Sequence, residues 1–245
     1  MRAYGVLIGG VLAAAVCVRL GFWQVSRLHQ RQAVRAMVEA RQRQPELEVT
    51  ALTAFRAVTL GIEDSLAYRP AVARGVFDFS RQVVVVARSV DEVPAVYVVT
   101  PLQLAGGSAI LVERGWVPSP DAYTVPLDSL GEPDSAQVAG ILLRITASRE
   151  FPLPDSTWPV PVPVADPDRL AGRFPYRLLP WVLRRSQPGG PAAPAPPALR
   201  PIPLPVIDNG PHLSYAIQWF AFATIALVGS AALFRREKRT GRAGG

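Results

Sequence analysis

One cysteine and two histidines are all that these 245 residues hold of the soft metal ligands. Cys17 can form no intramolecular disulfide, and with His29 and His212 it does not make up a Cys/His zinc set, so disulfide frameworks and structural zinc are excluded. Charge is scarce too: 18% of the residues are Asp, Glu, Lys or Arg, against about 25% in ordinary soluble domains. Hydrophobic residues make up 49%, and the mean hydropathy is +0.20, which assigns part of the chain to lipid. Lysine is nearly missing, with Lys238 alone among 26 basic residues, a bias that points to a GC-rich bacterial genome and hence to a bacterial plasma membrane.

Most catalytic signatures are missing as well. There is no phosphate-binding loop, dinucleotide fingerprint or nucleophile elbow. Gly106-Gly107-Ser108 comes nearest to a phosphate cradle, but it lacks a following helix and lysine and reads as a hairpin turn. A Ser/His/Asp triad would have to use His212, which sits at a membrane surface, so the chain reads as a non-enzyme. The carboxylates Asp91-Glu92 and Asp166/Asp168 lie in turn-like contexts and read as solvated charges.

The net charge of +7 raises nucleic-acid binding, and its distribution argues against it. Seven arginines fall within the first 43 residues and five basic residues within the last eleven. Between Gln44 and Phe234 there are 14 basic and 17 acidic residues, so the middle is mildly acidic. Basic flanks on two apolar runs are the mark of contact with a lipid bilayer.

The 22 residues Leu213 to Phe234 carry no charge. As a helix they extend about 33 Å, enough to cross a hydrocarbon core of about 30 Å. The apolar run at residues 3–23 contains Arg19 and spans only if that side chain snorkels; a cleaved signal peptide is the alternative. Two spans put both termini on one side, and the basic tail 235–245 makes that side cytoplasmic, although the arginines after the first span would orient it the other way. The loop between the spans is then extracytoplasmic. Gly5/Gly9 and Ala226/Ser230 have the small-residue spacing that lets membrane helices pack closely.

Residues 24–43 read as a polar helical extension of the first span, and 44–187 as a β-rich domain. Its strands fall at Tyr68 to Phe79, Gln82 to Ser89, Ala95 to Leu104, Ser108 to Val117 and Ala136 to Ala147, with a hairpin across Ala105-Gly106-Gly107. Seventeen of the 25 prolines lie between Pro152 and Pro211, leaving room for a short helix at Asp166 to Leu170 and a strand at Leu178 to Arg184. Residues 188–211 read as a proline-rich connector, extended or disordered, leading into the second span at 212–234. The expected fold is a membrane-anchored α+β protein: two transmembrane helices flank a β-rich, mainly antiparallel extracytoplasmic domain.

His212 shares a helical face with Tyr215, Ala216 and Trp219. An imidazole between aromatics at the mouth of a span suits an axial haem ligand, and equally an interfacial aromatic belt with a hydrogen-bonded histidine. Glu113-Arg114-Gly115-Trp116 closes a strand, with Trp116 suited to a core. Trp23, Gln24 and Arg27, where the first span leaves lipid, fit anchoring or a partner surface.

Five segments in order resemble the Surfeit-locus-one (Shy-type) family of cytochrome c oxidase assembly factors. They are Leu20-Gly21-Phe22-Trp23-Gln24 with Arg27; Tyr68-Arg69-Pro70 with Gly75 and Phe77; Thr100-Pro101-Leu102; Val112-Glu113-Arg114-Gly115-Trp116-Val117-Pro118; and His212-Leu213-Ser214-Tyr215-Ala216-Ile217-Gln218-Trp219-Phe220. The resemblance implies a two-span protein that works with the oxidase catalytic subunit and other assembly factors. It also implies that haem a is delivered or retained, with His212 as iron ligand beside Tyr215 and Trp219. Trp23, Gln24, Arg27, Arg114, Gly115 and Trp116 are then expected at anchors or partner contacts. Gly210-Pro211 departs from the family pattern, and Pro188 to Pro205 exceeds the family core. A cofactor-free, membrane-tethered scaffold for another envelope protein is the alternative.

Overall fold

The computed structural model describes residues 2–54, 62–154, 157–186, 199–204, 208 and 210–243, and the chain divides into two compact units. One comprises residues 38–205, the other 1–37 with 206–245.

The second unit is built on two helices, most of α1 (Arg2–Gln42) and α5 (His212–Ala243). Each contains a stretch long and apolar enough to cross a membrane. Ile8, Leu12, Val16 and Phe22 on α1, and Ile217, Ile225 and Val228 on α5, stand exposed, as side chains facing lipid would. The helices run antiparallel: Tyr4 meets Phe234 edge-on at 5.4 Å, and Phe22 meets Phe220 in the same way at 5.4 Å. The close approach falls at Gly10, where a Cβ would collide with Ser230 and come within 3.1 Å of the Ala226 carbonyl. The expected small-residue pair on α5 is therefore in use, whereas Gly5 and Gly9 face open space.

The other unit carries β1 (Leu47–Glu48), α2 (Val49–Ala54), α3 (Ile62–Leu66), β2 (Pro70–Phe77), β3 (Val83–Val90), β4 (Val93–Leu104), β5 (Ser108–Pro118), β6 (Ser135–Leu143), β7 (Val160–Val162), α4 (Pro167–Leu170) and β8 (Arg177–Arg185). The strand order is β1-β2-β6-β8-β5-β4-β3-β7, and a further pairing of β2 with β4 closes β2, β6, β8, β5 and β4 into a ring. Closure brings backbones together at Gly75, where a Cβ would collide with the Gln103 carbonyl, and at Gly140, where it would collide with that of Arg184.

The sheet is mixed, which corrects the expectation of a mainly antiparallel one. β1 pairs with β2, β3 with β7 and β5 with β8 in parallel. The reason lies in the long excursion after β6. The chain returns through residues 144–176 and inserts β8 between β6 and β5; antiparallel to β6, β8 must run parallel to β5. Insertion also buries β5 on both faces: Ile110 and Val112 enter one cluster with Ala71, Leu102 and Leu183, while Ala109 and Leu111 enter another with Val83, Val160 and Phe174.

The expected hairpin turn holds, with Gly106 and Gly107 at φ of 93° and 76° between β4 and β5. The short helix α4 also forms, but Asp166 is not a solvated charge: it is buried and accepts from the backbone N–H groups of Asp168 and Ala147. Most of the proline-rich connector, 187–198 and 205–207, lies outside the described residues. The part within them is held in place, since Arg200 exchanges backbone hydrogen bonds with Trp116, and Leu199 and Ile202 are buried.

Candidate functional site

Two clusters contain the residues that the sequence singles out. The first is where α5 begins. Gly210, at φ 61°, donates its N–H to Asp208, and the Pro211 carbonyl accepts from the backbone of Tyr215 and the hydroxyl of Ser214. His212 thus opens the helix, and its Nδ1 lies 2.8 Å from Oε1 of Gln24 on α1. An amide oxygen accepts only, so Nδ1–H donates and the lone pair is left on Nε2. Gln24 is only 9% exposed and His212 is half-buried. Tyr215 is 46% exposed, Trp219 packs edge-on against Phe222 at 6.0 Å, Trp23 is 54% exposed, and Arg27 hydrogen-bonds Gln30 on its own helix. The structure therefore brings Gln24 and His212 together and leaves Trp23 and Tyr215 outward.

The second cluster lies at the end of β5. Opposite β4, Val98 pairs with Gly115 and Val99 with Glu113, so Arg114 is the extra residue of a β-bulge. A bulge re-aims the side chain it carries. Here it turns Arg114 inward, to 2% exposure, against the rings of Phe77 and Phe79. Arg114 Nε donates to Glu132 at 2.6 Å, Nη1 to Gln82 and Thr100, and Nη2 to the Leu130 carbonyl. Burial lowers its pKa from the ordinary arginine value, against the pull of Glu132. Glu132 also accepts both Nη groups of Arg185, at 2.9 and 2.8 Å. Arg114 therefore works inside the domain, where it cannot touch a partner directly. Trp116 is buried as expected and donates Nε1–H to the Pro201 carbonyl at 3.1 Å.

A sequence model of the SURF1 family matches residues 11–224. The chain belongs to the SURF1 family. Members of that family are cytochrome c oxidase assembly factors, which gives the chain a role in oxidase assembly and oxidase-related partners. No curated protein matches the chain significantly.

Within this SURF1-family chain, sequence reasoning passed over Glu132, Arg185 and Gln82 as site residues, and met Thr100 only within the Thr100-Pro101-Leu102 segment. The available signal was Arg184-Arg185 at the end of an apolar strand, since a charge at a buried strand position demands a partner. It also passed over Asp78. Burial raises the pKa of this carboxyl, but hydrogen bonds from Ser80, Tyr176 and Arg81 outweigh that and hold it below the ordinary value. The Tyr176 hydroxyl is raised in turn, by its own burial and by the Asp78 carboxylate.

Proposed function

We propose that the chain serves oxidase assembly by holding haem a at His212 for the catalytic subunit, alongside other assembly factors and without catalysing a reaction itself. The observation that carries this reading is the 2.8 Å hydrogen bond from His212 Nδ1 to Gln24. A ligating histidine needs its second nitrogen anchored, because the anchor sets both tautomer and ring direction. The donor set fits: one imidazole whose Nε2 has no hydrogen-bond partner among the described residues, beside Tyr215 and Trp219 on the same helix. Haem a, when bound, would supply an iron that an imidazole nitrogen can ligate. His212 would hold that iron through Nε2, and Gln24 would keep Nδ1 protonated. The proposed location is a bacterial plasma membrane, with residues 235–245 and the N-terminus cytoplasmic and the β-rich unit outside.

The exposure of Trp23 and Tyr215 supports a second reading, a cofactor-free scaffold that presents these side chains to a partner. The absorbance spectrum of detergent-purified protein, co-produced with a haem a synthesis pathway, separates the two. A haem a band that His212→Ala abolishes is the expected result; equal bands in both proteins, or none in either, would leave the scaffold.

A further inference from the structure

The helix α1 runs on where its partner begins. Gln24 meets His212 at the first residue of α5, and residues 25–37 of α1 continue beyond that level within the same unit. Arg27 and Arg31 come three and seven residues after Gln24, about 4.5 and 10.5 Å further along the axis. At about 100° per residue they stand about 60° and 20° from the Gln24 direction, so they share the face of α1 that offers Gln24 to His212. Long helix side chains lean towards the N-terminus of their own helix, and from both positions that is the direction of His212.

Neither arginine has a counter-charge among the described residues. The chain holds no aspartate or glutamate before Glu39. Arg27 has a neutral partner, Gln30 at 3.0 Å, and Arg31 has none among the described residues; both are exposed. His212 has its Nε2 beside the turn that precedes α5, since a Cβ on Gly210 would lie 3.4 Å from that nitrogen. Asp208, the acidic residue of the turn, has its Oδ1 on the Gly210 N–H at 2.7 Å. Around His212 the two helices expose Trp23, Leu213 and Tyr215. The order at the open end of the helix pair is therefore apolar side chains, then an imidazole nitrogen, then two guanidinium groups.

A haem has the same order. Its ring is apolar, its iron takes an imidazole, and two propionates leave from one edge, each needing a cation or water once the ring is seated. Arginines at i and i+4 are about 5–6 Å apart at Cβ, and each guanidinium matches a carboxylate with two parallel N–H donors. We infer that Arg27 and Arg31 receive the two propionates of a haem whose iron is on His212 Nε2, so that the extension of α1 recognises the carboxylate edge. The inference rests on the haem reading of His212 and adds the residues that select a porphyrin dicarboxylate.

Protoporphyrin IX carries the propionates without iron, so it tests the arginines apart from His212. The full chain in a neutral detergent is titrated with protoporphyrin IX and with its dimethyl ester, read by porphyrin fluorescence against empty micelles. The diacid is expected to bind at least about tenfold more tightly than the ester. Arg27→Gln combined with Arg31→Gln is expected to bring the two within about threefold, while His212→Ala leaves the preference in place. Both arginines are on the surface and glutamine keeps their helix propensity, so the fold is retained. Equal binding of diacid and ester, or a preference that persists in the double variant, would overturn the inference and leave these arginines to lipid headgroups. The same titrations with haemin, read by absorbance, test the iron ligand. No axial-imidazole signature, or one that His212→Ala does not remove, would overturn the haem reading of His212, and an arginine-dependent preference for the diacid would then stand by itself.

Discussion

Among the described residues Glu132 is the one carboxylate that pairs with both buried guanidinium groups, and replacing it by Gln would remove the counter-charge that they share. Glu132→Gln is therefore expected to destabilise the β-rich unit by about 3–5 kcal/mol, read as a lowered midpoint in denaturant unfolding. Asp78 gives a different signature. Its folded pKa lies below the ordinary 3.8, so its contribution is complete above that value and disappears as pH falls through the lowered folded value. Asp78→Asn should flatten the loss of stability below about pH 4, measured by unfolding across an acid series. On the proposed haem reading, Gln24→Leu should leave the helices in place and reduce haem a retention by about tenfold or more, and His212→Ala should abolish it. A retained band with unchanged intensity in Gln24→Leu would mean that His212 needs no such anchor.

Among elements, the two glycines whose Cβ would meet a neighbouring strand's backbone, Gly75 and Gly140, are the sensitive points. Gly75→Ala puts a methyl group onto the Gln103 carbonyl, where β2 crosses from β6 to β4, and should cost about 1–3 kcal/mol of stability by overpacking. In the membrane-type helices, Gly10→Ile should separate α1 from α5 while Gly9→Ile leaves them packed, a contrast that protease sensitivity in detergent would register. Local chemistry made several elements legible beforehand. The Gly106-Gly107 turn needs positive φ from those two residues alone, and the apolar, β-branched runs of β4 and β5 mark them as buried strands from their own side chains. What was not legible depends on residues far apart. Nothing in the spacing of Arg114 and Glu132 announces an ion pair, because the bulge that turns Arg114 inward is defined by its register with β4. The parallel pairing of β5 with β8 was hidden likewise, since valine-rich strands buried on both faces read alike in either direction. Gln24 and His212 were each marked as the edge of a span; antiparallel packing of the two spans is the step that makes them neighbours.

For the whole molecule, the charge pattern sets the orientation proposed above, and single cysteines can read it. In a Cys17→Ser background, a cysteine at Asp128 should react with an impermeant thiol reagent added outside cells, and one at Lys238 should react only after permeabilisation. The reverse pattern would invert the proposed topology. The anchoring of residues 199–204 beside Trp116 has a consequence for how the chain can be edited. Ser186 is tied to the Ala139 carbonyl and Arg200 to Trp116, so residues 187–198 join two fixed points. The entropy of closing a loop between fixed ends grows only with the logarithm of its length, about 0.6 kcal/mol for each doubling. With Ser186 and Arg200 both kept in place, a reporter spliced into the sequence between them is expected to leave residues 199–204 seated, read as an unfolding midpoint equal to that of the unaltered chain.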